Sequence, residues 1–200
     1  VSSKKLEEQL AWLQKNNYTT ITLDDIVSAW ETDIPLPKKP VILTFDDGYD
    51  DFFSTAYPLL QKYSTKATAY IVTSFLESPR YMKKSQIQEL ATSPLITIAS
   101  HTEHHFDMRK LKISRLREEL IKSKKILEDL TGKTIRHFAY PFGYHTQGIA
   151  EEVKKAGYET AAITGYGTEH KPENRFITRR VRIAGGVTIE KFSELIEGKP

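Results

Sequence analysis

Cysteine is absent from the 200 residues. That excludes disulfides and thiolate ligands, so oxygen and nitrogen are the only donors open to a metal. Long apolar runs are missing as well, and no stretch approaches the roughly 18 residues that a membrane span requires. An excess of one charge is also lacking: the formal net charge is +3, and the lysines are interleaved with acids. A nucleic-acid partner is therefore not indicated. No Pro-, Gly- or Ser-rich linker divides the chain, and 200 residues can bury a full core, so residues 1–200 are expected to form one domain.

What is present centres on the apolar run Val41-Ile42-Leu43-Thr44-Phe45, which leads directly into Asp46, Asp47 and Gly48. It follows the breaker Pro40 and reads as a strand covered on both faces, the habit of parallel sheets. Such sheets bind ligands where their strands end. Two adjacent carboxylates repel, and both stay ionised only when a cation or an arginine lies between them. A second short run, Ile96 to Ser100, ends in His101-Thr102-Glu103-His104-His105. One carboxylate with two imidazoles is a common zinc set that leaves a coordination position open. A tight turn would bring His101 and His105 to one side and point His104 elsewhere. The competing reading, a polar surface loop, has to explain why it too follows a buried strand.

Taken in order, Leu6, Leu10 and Leu13 mark an amphipathic helix over residues 3–16. Tyr18 to Leu23 alternates as a strand, and Asp24 is placed to cap a helix through Trp30. Asp50 can cap a helix reaching Tyr63, which makes Asp50 and Asp51 structural. Strands are expected at Ala67 to Val72 and Leu95 to Ser100, with a short helix between them. Ile113 to Leu130 carries an apolar stripe ended by Gly132, with its charge forming a solvated face. Further strands are expected at His137 to Tyr140, Thr160 to Thr164 and Phe176 to Ile183, and a closing helix at Ile189 to Ile196. Strand and helix alternate roughly every 25 to 30 residues, which signals a parallel α/β protein and best fits a distorted (β/α) barrel of about seven strands.

The motifs Thr44-Phe45-Asp46-Asp47-Gly48, His101-Thr102-Glu103-His104-His105 and Tyr140-Pro141-Phe142-Gly143 resemble, in that order, the first three motifs of the polysaccharide deacetylase (NodB-homology) family, carbohydrate esterase family four. The resemblance runs from about Val41 to Ile196. It implies a distorted barrel enzyme that removes acetyl groups from a polysaccharide with one divalent metal, zinc foremost, with cobalt, nickel or iron as alternatives. Carried across, Asp46 would be the general base, and Asp47, His101 and His105 the metal ligands. Tyr140, Pro141 and Phe142 would form the substrate and oxyanion segment, with the Phe142 N–H facing the oxyanion.

Many members carry an arginine two residues before the motif proline, where this chain has Ala139. The Tyr-Pro-Phe-Gly form resembles the branch acting on poly-β-1,6-N-acetylglucosamine, in which a later arginine takes that role. Arg180 is the match, flanked by Arg179 and Arg182. The family's acid is a histidine, expected in this branch on a strand upstream of Val1; His145 is the rival within the chain, while His137 lies at the wrong strand end and His170 in a polar loop. Peptidoglycan or chitin-like substrates, a binding module with lost chemistry and a small-molecule amidohydrolase are the alternative readings. A monomer at the cell surface or outside the cell is expected.

Overall fold

The computed structural model describes residues 1–32 and 34–198. Its first half contains α1 (Ser3–Lys15), β1 (Thr19–Thr20), α2 (Leu23–Glu31), β2 (Pro40–Val41), β3 (Leu43–Phe45), α3 (Tyr57–Lys62), β4 (Ala67–Ile71) and α4 (Lys84–Thr92). The second half contains β5 (Ile96–Ser100), α5 (Ile113–Thr131), β6 (His137–Ala139), α6 (Gln147–Lys155), β7 (Thr160–Ala162) and α7 (Ile189–Ile196). Strands β3 to β7 form a five-stranded sheet in chain order, parallel throughout, and β1 pairs with β2 beside it. Sequential order with right-handed crossovers turns a sheet continuously in one sense. The result is the half-barrel form of the expected distorted barrel.

The two faces of this sheet carry different cores. Ala67, Ala69, Ile71, Ile96, Ile98, Phe138, Tyr140, Ala161 and Ile163 point outward into the main core beneath the helices. Tyr70, Ala99, Ala139 and Ala162 point inward and meet Ile21, Leu23 and Ile26 from the β1–α2 corner. Three alanines around one tyrosine keep the inner space narrow, and the corner plugs one end of it. Because side chains alternate with period two, the next inward positions after Thr44 on β3 and Ala99 on β5 are Asp46 and His101. Strand geometry thus aims both at the open end.

Several local expectations are corrected. β1 is two residues long because α2 begins at once: Thr22 Oγ1 accepts the Asp25 N–H at 3.0 Å, and Asp25 accepts the Thr22 N–H at 2.8 Å. Thr22 is the cap, and Asp24 instead faces His137 Nε2 at 3.3 Å. β3 is an edge strand, half-buried rather than covered on both faces. Asp50 does not cap the following helix, which opens as a π-helical turn over Phe52–Ala56; its carboxylate accepts from Gln86 at 2.9 Å. No regular strand spans Phe176 to Ile183. Thr178 makes a parallel bridge to Ala162, and Arg180 an antiparallel one to Gly165. With β7 only three residues long and the chain turning at Gly165, where φ is +122°, the segment has no straight partner to follow.

The inner face gives the first test. Ala99 is fully buried there, so Ala99→Leu is expected to overpack it and cost about 1–3 kcal/mol in urea unfolding. An unchanged midpoint would place this face in open space.

Candidate active site

At the end of β3, the Asp46 carboxylate receives both terminal nitrogens of Arg180, at 2.6 and 2.8 Å. Arg180 Nη1 also donates to Thr44 Oγ1 at 3.1 Å, and the guanidinium carbon lies 5.3 Å from the centre of the Tyr70 ring. Burial by itself pushes the Asp46 carboxyl up, but the Arg180 hydrogen bonds and charge outweigh it and hold the group below the ordinary carboxylate range. Asp46 is therefore an anion fixed in orientation. Arg179 and Arg182 are exposed, and Arg180 alone of the three reaches the site.

Asp47 would point outward by strand alternation. Its backbone instead takes a left-handed φ of 73°, and Gly48 follows at 81°, which swings the carboxylate back over the mouth. Asp47 Oδ1 lies 3.5 Å from both His101 Nε2 and His105 Nε2. Those lengths are too long for good hydrogen bonds. They match the edges of a tetrahedral site, about 3.3–3.6 Å for ligand bonds of about 2.0–2.2 Å. His101 is 2% exposed, and its Nδ1–H donates to the Ala139 carbonyl at 2.7 Å. A carbonyl only accepts, so the tautomer is fixed and the Nε2 lone pair faces Asp47. Burial lowers the His101 pKa and favours the neutral ring that a cation needs. His105 is held by its N–H to Thr102 Oγ1 at 2.9 Å, and its ring lies 4.8 Å from that of His101. The donor set fits one divalent cation.

His104 turns away, stacked on Phe106 at 5.3 Å, with Nδ1 2.9 Å from Glu119 Oε1. Glu119, expected on the solvated face with the rest of the charge of α5, is instead fully buried. The signal was its position, three residues after Leu116 and four before Ser123 on the buried stripe. Glu103, His104 and Glu119 form a second group of ligand-type side chains. There the positive charge is already supplied by Arg115 Nη2, 2.8 Å from Glu119 Oε1.

The third motif forms a short 3₁₀ turn over Pro141–Gly143. Phe142 has φ 59°, and its ring, 51% exposed, stands 4.6 Å from His105. Tyr140 is buried with its hydroxyl donating to the Phe176 carbonyl at 3.0 Å, and Pro141 is buried too. These two shape the turn, and Phe142 alone offers a surface. His145 is half-buried with its ring 5.7 Å from Tyr140. His137 is enclosed at the far end between Thr160 and Asp24. His170 is half-buried, and burial lowers its pKa. A Cβ on Gly143 would lie 2.1 Å from Thr164 Oγ1 and 2.4 Å from its backbone nitrogen. Gly143→Ala is therefore expected to displace the Phe142 turn and lower activity while the chain stays folded, as measured by circular dichroism beside turnover. Wild-type turnover would show that the turn need not sit there.

The chain is similar to known proteins over nearly its whole length. Residues 33–161 match the family model described as polysaccharide deacetylase. A Bacillus subtilis protein whose name places it provisionally among polysaccharide deacetylases is 29% identical over 197 residues, covering 98% of this chain and 70% of its own. The poly-β-1,6-N-acetyl-D-glucosamine N-deacetylase of Escherichia coli K12 is 27% identical over 239 residues, covering 98% of this chain but 35% of its own. The crystal structure of a Bacillus cereus polysaccharide deacetylase superposes with a TM-score of 0.87 at 33% identity, over 98% of this chain and 62% of that one. The chain thus spans about a third of the Escherichia coli relative and under two thirds of the Bacillus cereus chain. With the family model matching more than half of its residues, the chain belongs to the polysaccharide deacetylase family, a family of hydrolases.

Proposed function

We propose that the chain removes N-acetyl groups from a cell-surface polymer of N-acetylglucosamine, poly-β-1,6-N-acetylglucosamine foremost, using one divalent cation held by Asp47, His101 and His105. The carrying observation is the convergence of these three donors at 3.5 Å beside a carboxylate held anionic by Arg180. The linkage is supported by the arginine's origin on the late segment, with Ala139 at the alternative position, and by the name of the Escherichia coli relative. Zinc suits two imidazoles and a carboxylate.

A bound cation supplies Lewis acidity, lowering the pKa of a water toward about 7 and polarising an amide carbonyl. The protein's own groups do the rest. Asp46 accepts the proton of the attacking water at a carboxylate oxygen, its second lone pairs remaining free beyond those used by Arg180. The carbon–nitrogen bond then breaks as the departing nitrogen takes up one proton, so that acetate and a free amine are formed. Arg180 keeps that carboxylate ionised and orients it. The Phe142 N–H, on its strained turn, is the donor proposed to face the oxygen that gains charge as the carbonyl carbon becomes tetrahedral. Exposed aromatic surface adjoins the site: Phe142 stands beside His105 with Tyr144 5.7 Å from it, and Tyr49, next after Gly48, is stacked on Tyr81 at 4.9 Å. Such faces suit the apolar faces of pyranose rings.

Two outcomes test these roles. Asp46→Asn is expected to retain one equivalent of metal but lose about 10²–10⁴-fold in kcat, because an amide cannot take the proton; wild-type turnover would refute the assignment. The rate should fall as pH drops through the Asp46 pKa, which Arg180 depresses. Removing the guanidinium raises that pKa, so Arg180→Ala is expected to move the acidic limb of the kcat/KM profile to higher pH. An unmoved limb would separate Arg180 from the base.

A further inference from the structure

His101 and His105 stand at the two ends of a five-residue loop, and α5 grips that loop immediately before each of them. Ser123 Oγ meets Ser100 Oγ at 2.8 Å, one residue before His101. Glu119 Oε2 accepts the His104 backbone N–H at 2.8 Å, one residue before His105, and Oε1 meets His104 Nδ1 at 2.9 Å. Glu119 and Ser123 are four apart on one helix, hence one above the other on the same face, and both are fully buried. We propose that Glu119 is a positioning residue: with Ser123 it forms a two-point clamp that sets the separation and orientation of the His101 and His105 rings, and so the affinity of the site for its divalent cation. The proposal rests on the metal reading given above.

A purely structural role does not explain the choice of residue. Position 119 lies among Leu116, Leu120 and Leu127 on the face packed into the core, where a leucine would continue the apolar stripe without the desolvation cost of a carboxylate. What a leucine could not do is accept from a main-chain N–H. The loop needs such a tie because Thr102 and His105 both take left-handed backbone angles, φ 71° and 58°. Residues in that region persist only when their surroundings hold them there. Within the loop, Thr102 Oγ1 accepts the His105 N–H; from outside, the only side-chain carboxylate on its main chain is that of Glu119, among the described residues. Arg115 Nη2, 2.8 Å from Oε1, keeps the buried carboxylate paired.

The test is titration with Co²⁺ of the metal-free chain, read by the cobalt absorption bands and by competition with a chelator. The variants are Glu119→Gln, Glu119→Asp and Glu119→Leu, with His101→Ala as the zero and the melting temperature of each metal-free form as a second readout. Glu119→Asp withdraws the acceptor by one methylene, and Glu119→Leu removes it. Both are expected to weaken Co²⁺ binding by about 10–100-fold, with the metal-free melting temperature reading separately what each change costs the fold. Glu119→Gln keeps an acceptor at the same reach and should bind nearly as the wild type does. Wild-type affinity in whichever of the Asp and Leu variants folds would overturn the clamp. A wild-type chain that binds no more Co²⁺ than His101→Ala would overturn the metal reading instead.

Discussion

The salt bridge between Arg180 and Asp46 joins the two ends of the five-stranded sheet. Asp46 ends β3, the first strand of the five, while Arg180 lies on the segment running beside β7, the last. A bidentate bond at 2.6 and 2.8 Å between them is possible only if the sheet curls far enough to bring its edges together at the open end. The narrow inner face of alanines permits that curl. The same contact holds a carboxylate ionised at the mouth. The Asp46 side chain is 34% exposed and that of Arg180 18%, so solvent screens the pair in part; its consequence for the site is geometric and electrostatic.

A second feature is stored backbone strain. Asp47, Thr102, His105 and Phe142, one or two from each motif, all have positive φ without being glycine. Each costs on the order of 1–3 kcal/mol, and such residues cluster where a site must hold side chains that regular strands would misdirect. Asp47 shows the reason: an ideal strand would send its carboxylate to the outer face. The cost is offset by ties from neighbouring elements, including the Gly48 carbonyl accepting from Met82, Ser123 on Ser100 and Glu119 on His104. The site is thus built by the surrounding barrel as much as by the motifs.

Much of this was legible from residue types and spacing. The apolar runs ending in Asp46-Asp47 and in His101 gave the strand ends, and the helical stripes gave α1, α5 and α7 with ends close to those observed. Other features were not legible, for identifiable reasons. The inward and outward faces of β3 could not be told apart, because Ile42 and Leu43 are equally apolar. The path of residues 176–183 depends on where β7 stops, which is a tertiary matter. The cap at Thr22 competed with Asp24, and only the reciprocal bond from Asp25 decided it. Glu119 hid among many charges on α5, since solvated acids outnumber buried ones on any such helix. Arg180 could be named from the resemblance, but its reach to Asp46 required the curl of the sheet.

The most direct measurement of the central assignment is acetate release from a β-1,6-linked N-acetylglucosamine oligomer by the chain stripped of metal and then resupplied with zinc. Release is expected to vanish on stripping and to return in full at one equivalent per chain. Undiminished release from the stripped chain, or recovery only at many equivalents, would contradict a single cation held by Asp47, His101 and His105.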